Sequence, residues 1–182
     1  MTKLAQLSRR GLPLLLAAGA LAISLAQPAQ SAAPVPPGLS ADAETLHQVV
    51  HIDAPRARIY AALTDEAQYA QVQKLGVAMN SNLDLGHAPA AISRDVGGPF
   101  VLFGGHVQGR NIELTPGTRI VQAWREMTWQ PGVYSVIHIE LADEGAGTRI
   151  TFDQSGFPKG GGSKLAMGWY QNYWEPLKRF LS

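Results

Sequence analysis

The 182-residue chain contains no cysteine. That excludes thiol nucleophiles, thiolate metal sites and disulfide staples, so the fold must rest on its apolar core. Charge is also scarce. Asp, Glu, Lys and Arg make up 16% of the residues, against about 25% in an average soluble domain. The formal net charge is only +1, and no basic cluster of the kind that grips a phosphate backbone is present, which argues against nucleic acid as a partner. Three catalytic signatures are missing as well. There is no HExxH, no GxSxG and no GxxxxGK[ST], so a zincin, a serine hydrolase and a P-loop nucleotide site have no support. His47 and His51 are four residues apart. In a strand that spacing separates them by about 13 Å, so no metal is expected, and no other cofactor either.

What is present begins with a leader-like segment. "MTKLAQLSRR" is basic, "GLPLLLAAGALAISLA" is apolar, and "QPAQSAAP" is a run of small residues containing Ala29-Gln30-Ser31. A basic head, a short apolar middle and a small-residue exit are the three parts of a secretory signal peptide. The apolar run is interrupted by Gly11, Pro13 and Gly19, and it is shorter than the roughly 20 residues of a membrane-spanning helix. Residues 1–31 are therefore expected to be a signal peptide, read by the general or, given "SRRGL", the twin-arginine route, and the domain to be periplasmic or secreted. No stable membrane span is expected after cleavage. Lys3, Arg9 and Arg10 would leave with the leader, taking the formal charge to +1 − 3 = −2. Residues 32–44, rich in Pro and Ala, read as a linker, and residues 45–182 as one domain.

Within that domain "TLHQVVHI" reads as a strand closed by Asp53-Ala54-Pro55, and Pro55 opens helical periodicity through Ile59, Ala62, Leu63, Tyr69 and Val72. From about Ala91 to Phe157 short segments rich in Val, Ile, Phe, Trp and Thr alternate with Gly-Gly and Pro-Gly turn signals, as in an antiparallel meander. "VYSVIHIEL" alternates cleanly, with Val133, Ser135, Ile137, Ile139 and Leu141 on one face, and "TRITFDQ" places Ile150 and Phe152 on the inner face. The chain ends in a glycine hinge, Gly160-Gly161-Gly162, followed by a helix with Ser163 as expected N-cap and an apolar stripe through Leu165, Trp169, Tyr173, Leu177 and Phe180. Tyr170 and Trp174 fall off that stripe, as helix margin or surface, and Pro176 predicts a kink. The fold class is α+β: a curved antiparallel sheet of about six to seven strands wrapped on a long C-terminal helix, with one or two short helices after the first strand.

Six segments carry a family resemblance: "IDAPRARIYAALT" at 52–64, "GGPFVLFGG" at 97–105, "ELTPGTRIVQAWR" at 113–125, the turn Trp129-Gln130-Pro131-Gly132, "TRITFDQSGFP" at 148–158 and "GWYQNYWEPLKRFL" at 168–181. In this order they resemble the START-like (helix-grip, SRPBCC) superfamily, and within it the C-terminal domain of the activator of the heat-shock protein 90 ATPase and its bacterial homologues. The resemblance implies no universal catalytic residue. In the superfamily the space between sheet and C-terminal helix encloses an apolar cavity for lipids, sterols or polyketides. Co-chaperone members instead use an outer surface. An exported domain without the separate N-terminal chaperone-binding domain is not expected to serve that chaperone.

The pocket candidates are Trp124, Ile137, Ile139, Phe152, Trp169 and Tyr173, either enclosing a hydrophobic small molecule or filling the core against one another. Binding without catalysis is the leading expectation, with the glycine hinge letting the helix lift. An envelope protein partner is the first alternative. A cyclase-like or hydrolase-like enzyme is the second, and it requires His106, Glu113 or Asp153 to converge on the cavity.

Overall fold

The computed structural model describes residues 43–182, so the leader and most of the linker lie outside the described residues. The chain runs β1 (Ala43–Ile52), α1 (Arg56–Thr64), α2 (Glu66–Lys74), β2 (Ala91–Ile92), β3 (Pro99–Leu102), β4 (Val107–Thr115), β5 (Arg119–Glu126), β6 (Ser135–Glu144), β7 (Gly147–Pro158) and α3 (Gly162–Trp169). A five-residue π-turn (Tyr170–Trp174) and α4 (Glu175–Leu181) complete it. Strand β1 starts two residues inside the expected linker. The seven strands form one antiparallel sheet in the order β1-β7-β6-β5-β4-β3-β2, a meander closed by the return of β1 to the edge of β7. This is the α+β helix-grip architecture.

Local chemistry explains where the elements stop. The single helical period from Pro55 to Val72 is broken at Asp65, which takes an extended conformation. Its carboxylate accepts the Gln68 N–H at 2.9 Å, so one residue ends α1 and caps α2. Both helices still bury the expected side: Ile59, Ala62, Leu63, Tyr69 and Val72 are all buried.

The sheet's inner face is laid down by alternation. Ser135, Ile137, Ile139 and Leu141 of β6 are buried, as are Ile150, Phe152 and Gln154 of β7. Register aligns Ile137 with Gln154 and Ile139 with Phe152, so these side chains form rows beneath the C-terminal helix.

That helix is not uniform. Pro176 has no N–H to give, and its ring would press on the carbonyl four residues back. The chain widens instead: the Glu175 N–H bonds to the Tyr170 carbonyl, five residues back. A π-turn adds one residue to the circuit, which moves Trp174 onto the buried side beside Tyr173. Trp174 is fully buried, stacked on Trp169 with ring centroids 5.5 Å apart. The placement of Trp174 at the helix margin or surface is thereby corrected, while Tyr170 does remain exposed.

Candidate functional site

Trp169 sits at the centre of the grip. Its ring lies 4.0 Å from Tyr173, 4.3 Å from Phe152 and 5.6 Å from Trp124, measured between centroids. Ring pairs at such distances each add about 0.5–1.5 kcal/mol beyond simple burial. Two glutamines fasten the helix to the sheet. The Trp169 indole N–H donates to Gln154 Oε1 at 2.7 Å, and Gln154 Nε2 donates to Ser135 Oγ at 2.8 Å. On β1 the pattern repeats: the Trp174 N–H donates to Gln48 Oε1 at 2.7 Å and Gln48 Nε2 donates to the Ala166 carbonyl at 2.9 Å.

Between sheet and helix this packing leaves only an inner void of about 20 Å³, enough for roughly one water. A larger, mostly apolar opening lies to one side of this void. A groove of about 260 Å³ runs between α3 with its π-turn, the β3–β4 turn, the end of β5 and the segment around Ala78, Leu83 and Leu85. Trp124, Trp169 and Tyr173 form its floor, and Phe103, Val107 and Leu165 add apolar wall. Met167 and Leu83, both exposed, stand at its edge. Glu126 and Lys164 meet at the mouth, N–O 3.0 Å apart.

The groove exists because two irregular pieces hold its far wall open. Phe103, Gly104 and Gly105 all take positive φ, and the buried Phe103 N–H is satisfied by Gln73 Oε1 at 2.8 Å. A Cβ on Gly104 would run into the carbonyls of Leu85 and Gly86, so only glycine lets the 85–88 segment dock on this turn, where the Ala88 N–H bonds to the Gly104 carbonyl. The Ala78 N–H reaches Asn172 Oδ1 at 2.7 Å, which ties the same segment to the π-turn.

The six pocket candidates therefore divide. Trp124, Trp169 and Tyr173 line both groove and inner void; Ile137 and Ile139 line the inner void alone. Phe152 faces neither and packs on Trp169 and Trp174. The three polar candidates do not converge. His106 is on the groove wall. Glu113 is at the surface, 3.3 Å from Arg119, and Asp153 pairs with His47 at 2.6 Å on the outer face. His51 lies between Glu144 and Asp53, 3.0 Å from each.

The glycine hinge is fastened, not free. Glu44 of β1 accepts the Gly160 N–H at 2.7 Å and the Gly162 N–H at 3.0 Å, placing a carboxylate at the positive end of α3. No side chain caps α3 at Gly161, so the expected Ser163 cap is replaced by Glu44.

Burial pushes the Tyr173 phenol far above the ordinary tyrosine value, against smaller opposing effects of the neighbouring Trp124 and Tyr69. Tyr69 is likewise held well up, first by burial and then by Tyr173. Both stay neutral throughout the physiological range.

The profile of the family described as "Activator of Hsp90 ATPase homolog 1-like protein" matches residues 53–182. The human activator of 90 kDa heat shock protein ATPase homolog 1 is 31% identical over 93 residues, 51% of this chain and 28% of its own length. The Dictyostelium discoideum activator homolog is 32% identical over 123 residues, 66% of this chain and 32% of its own. The chain thus spans about a third of the length of these relatives. Among solved structures, an HSP90 activator from Plasmodium falciparum superposes with a TM-score of 0.63 at 22% identity, covering 75% of this chain and 95% of that one. A Rhizobium leguminosarum protein gives 0.60 at 21%, covering 78% and 96%. Profile match, sequence relatives and shared architecture agree: the chain belongs to the family of activator of Hsp90 ATPase homolog 1-like proteins.

Proposed function

We propose that this protein binds a hydrophobic small molecule, without covalent chemistry, in the groove floored by Trp124, Trp169 and Tyr173. The observation that carries this reading is the groove itself, about 260 Å³ of apolar-walled space beside an otherwise filled core. It lies just below the roughly 300–1,000 Å³ typical of drug-sized ligands, so it suits a compact molecule better than a two-chain lipid. The leader-like residues 1–31 support the view that binding takes place outside the cytoplasm.

The test is a groove-filling variant. Gly168 lines the groove on α3, and a Cβ there meets nothing within 4 Å. Gly168→Leu should fold at least as stably as the parent, because replacing a helical glycine gains about 0.5–1 kcal/mol. The parent should bind the neutral fluorescent probe N-phenyl-1-naphthylamine saturably, and Gly168→Leu should weaken it at least about tenfold, since its side chain takes the ligand's place. Equal binding by both proteins would sink the groove as the site.

A second reading follows from the relatives named as heat-shock protein 90 ATPase activators. A co-chaperone-like module acting on an envelope protein would retain its partner in the Gly168→Leu variant, which separates the two.

A further inference from the structure

Tyr173 and Trp124 of the groove floor, and Tyr69 behind them in the inner void, carry two hydroxyls and an indole N–H with no partner at full hydrogen-bonding geometry, although Tyr69 and Trp124 flank the Tyr173 phenol closely enough to act on it. All three residues are more than nine-tenths buried. Buried polar atoms are rarely left unmatched, and an unmatched one is costly. The chain is able to supply acceptors here, since Trp169 and Trp174 each receive a glutamine oxygen at 2.7 Å. For Trp124 it supplies the Tyr173 hydroxyl, short of full hydrogen-bonding geometry.

Tyr69, Trp124 and Tyr173 all line the inner void of about 20 Å³, and Trp124 and Tyr173 also floor the groove. Groove and void share that wall, and the void has room for one oxygen-sized group. An indole only donates, whereas a phenol donates or accepts. Donors of this kind beside one small space fit an oxygen with free lone pairs.

The charge around the void says which oxygen. The cation nearest the mouth, Lys164, is mostly exposed and already bonded to Glu126. The Glu126 carboxylate acts on Tyr173 in the sense of an added negative charge. A ligand carboxylate would be stripped of water next to like charge.

We propose that Tyr69, Trp124 and Tyr173 are the polar anchor of the groove, which selects a neutral, compact ring ligand bearing a ketone, quinone or hydroxyl oxygen over a plain hydrocarbon and over a carboxylate. This rests on the groove binding proposed above.

The test uses three probes of one shape, titrated by calorimetry into the mature protein: naphthalene, 2-acetylnaphthalene and 2-naphthoate. The ketone should bind about five- to tenfold tighter than the hydrocarbon, the ratio one net hydrogen bond gives. The carboxylate should bind weakest. The Tyr69→Phe/Tyr173→Phe double variant keeps ring volume and loses only the two hydroxyls. Its ketone-to-naphthalene affinity ratio should fall most of the way to one, whatever its affinity for naphthalene itself. Tyr173→Phe alone is the second variant should the double one fold poorly, and it should show an intermediate preference. Equal parent affinity for naphthalene and ketone, tightest binding of the naphthoate, or an undiminished preference in the Phe variants would overturn the anchor and leave the groove standing. Binding of none of the three would overturn both.

Discussion

Gln154 offers the most direct measure of what holds the C-terminal helix to the sheet. It is 1% exposed, accepts from the Trp169 indole and donates to Ser135 Oγ, while Ser135 Oγ passes its own hydrogen to the Trp124 carbonyl at 3.0 Å. Gln154→Leu keeps roughly the same volume and removes both bonds. Ser135 loses an acceptor role but keeps its donation. Trp169 is left with a buried N–H and no partner, which costs about 1–3 kcal/mol, and the second bond contributes about 1 kcal/mol. A few tenths return from the more apolar leucine. The net loss should be about 2–3 kcal/mol, a large share of the 5–15 kcal/mol that holds a typical domain folded.

Urea unfolding followed by circular dichroism should show the midpoint falling with the slope unchanged. Pairing Gln154→Leu with Trp169→Phe isolates the bond. Trp169→Phe removes the stranded donor, so the double variant should be less destabilised than the two singles summed, by about 1–2 kcal/mol. A loss below about 0.5 kcal/mol in Gln154→Leu, or no coupling in the cycle, would refute the idea that the grip is fastened by polar contacts as well as by ring packing.

Two further outcomes follow from single contacts. Glu44→Ala should cost about 1 kcal/mol by stripping the Gly160 and Gly162 N–H groups of their acceptor at the start of α3, and amide exchange at those two glycines should quicken; unchanged exchange would mean that the glycine segment is held by something else. Asp65 is held below the ordinary aspartate range, first by the Gln68 N–H and then by Arg94. A lowered folded value means its contribution is complete above the unfolded pKa of about 3.9 and is lost as pH falls through the folded one. Asp65→Asn keeps a capping side chain and removes the charge, so the parent's advantage in urea midpoint should be present at pH 6 and shrink below about pH 4; an advantage that persists at pH 2 would sink this account.

The sheet and its inner rows were legible because alternation is a strict geometric rule, and it held through Ile137, Ile139, Ile150 and Phe152. The same rule, carried two residues further, points Gln154 inward, and it points Gln48 inward from Leu46. Composition argues the other way, since glutamine usually faces water. What makes the burial tolerable is a partner more than a hundred residues away in one case and fifteen away in the other, which no local window contains. The far wall of the groove was harder still. Residues 75–90 carry neither a helical nor an alternating period, and their course depends on a close approach of Gly86 to Gly104.

The helical stripe was read with a period that one proline then altered. Up to Tyr173 the three- and four-residue spacing holds, and Leu165, Trp169 and Tyr173 are buried as it requires. Beyond the π-turn Leu177 is still buried as the stripe requires, but the phase has moved enough that Trp174 and Leu181 are buried while Phe180 is only partly covered. The shift changes chemistry as well as packing. With Trp174 turned inward, its ring and that of Phe152 fill the space between sheet and helix. Free volume is then left at the side of the helix, beside the point where the Ala78 segment is tied to Asn172 of the π-turn. A regular helix would have kept Trp174 outside and left the central space to be filled by something else. The proline that breaks the helical rule thus closes the middle of the grip and leaves the opening at its flank.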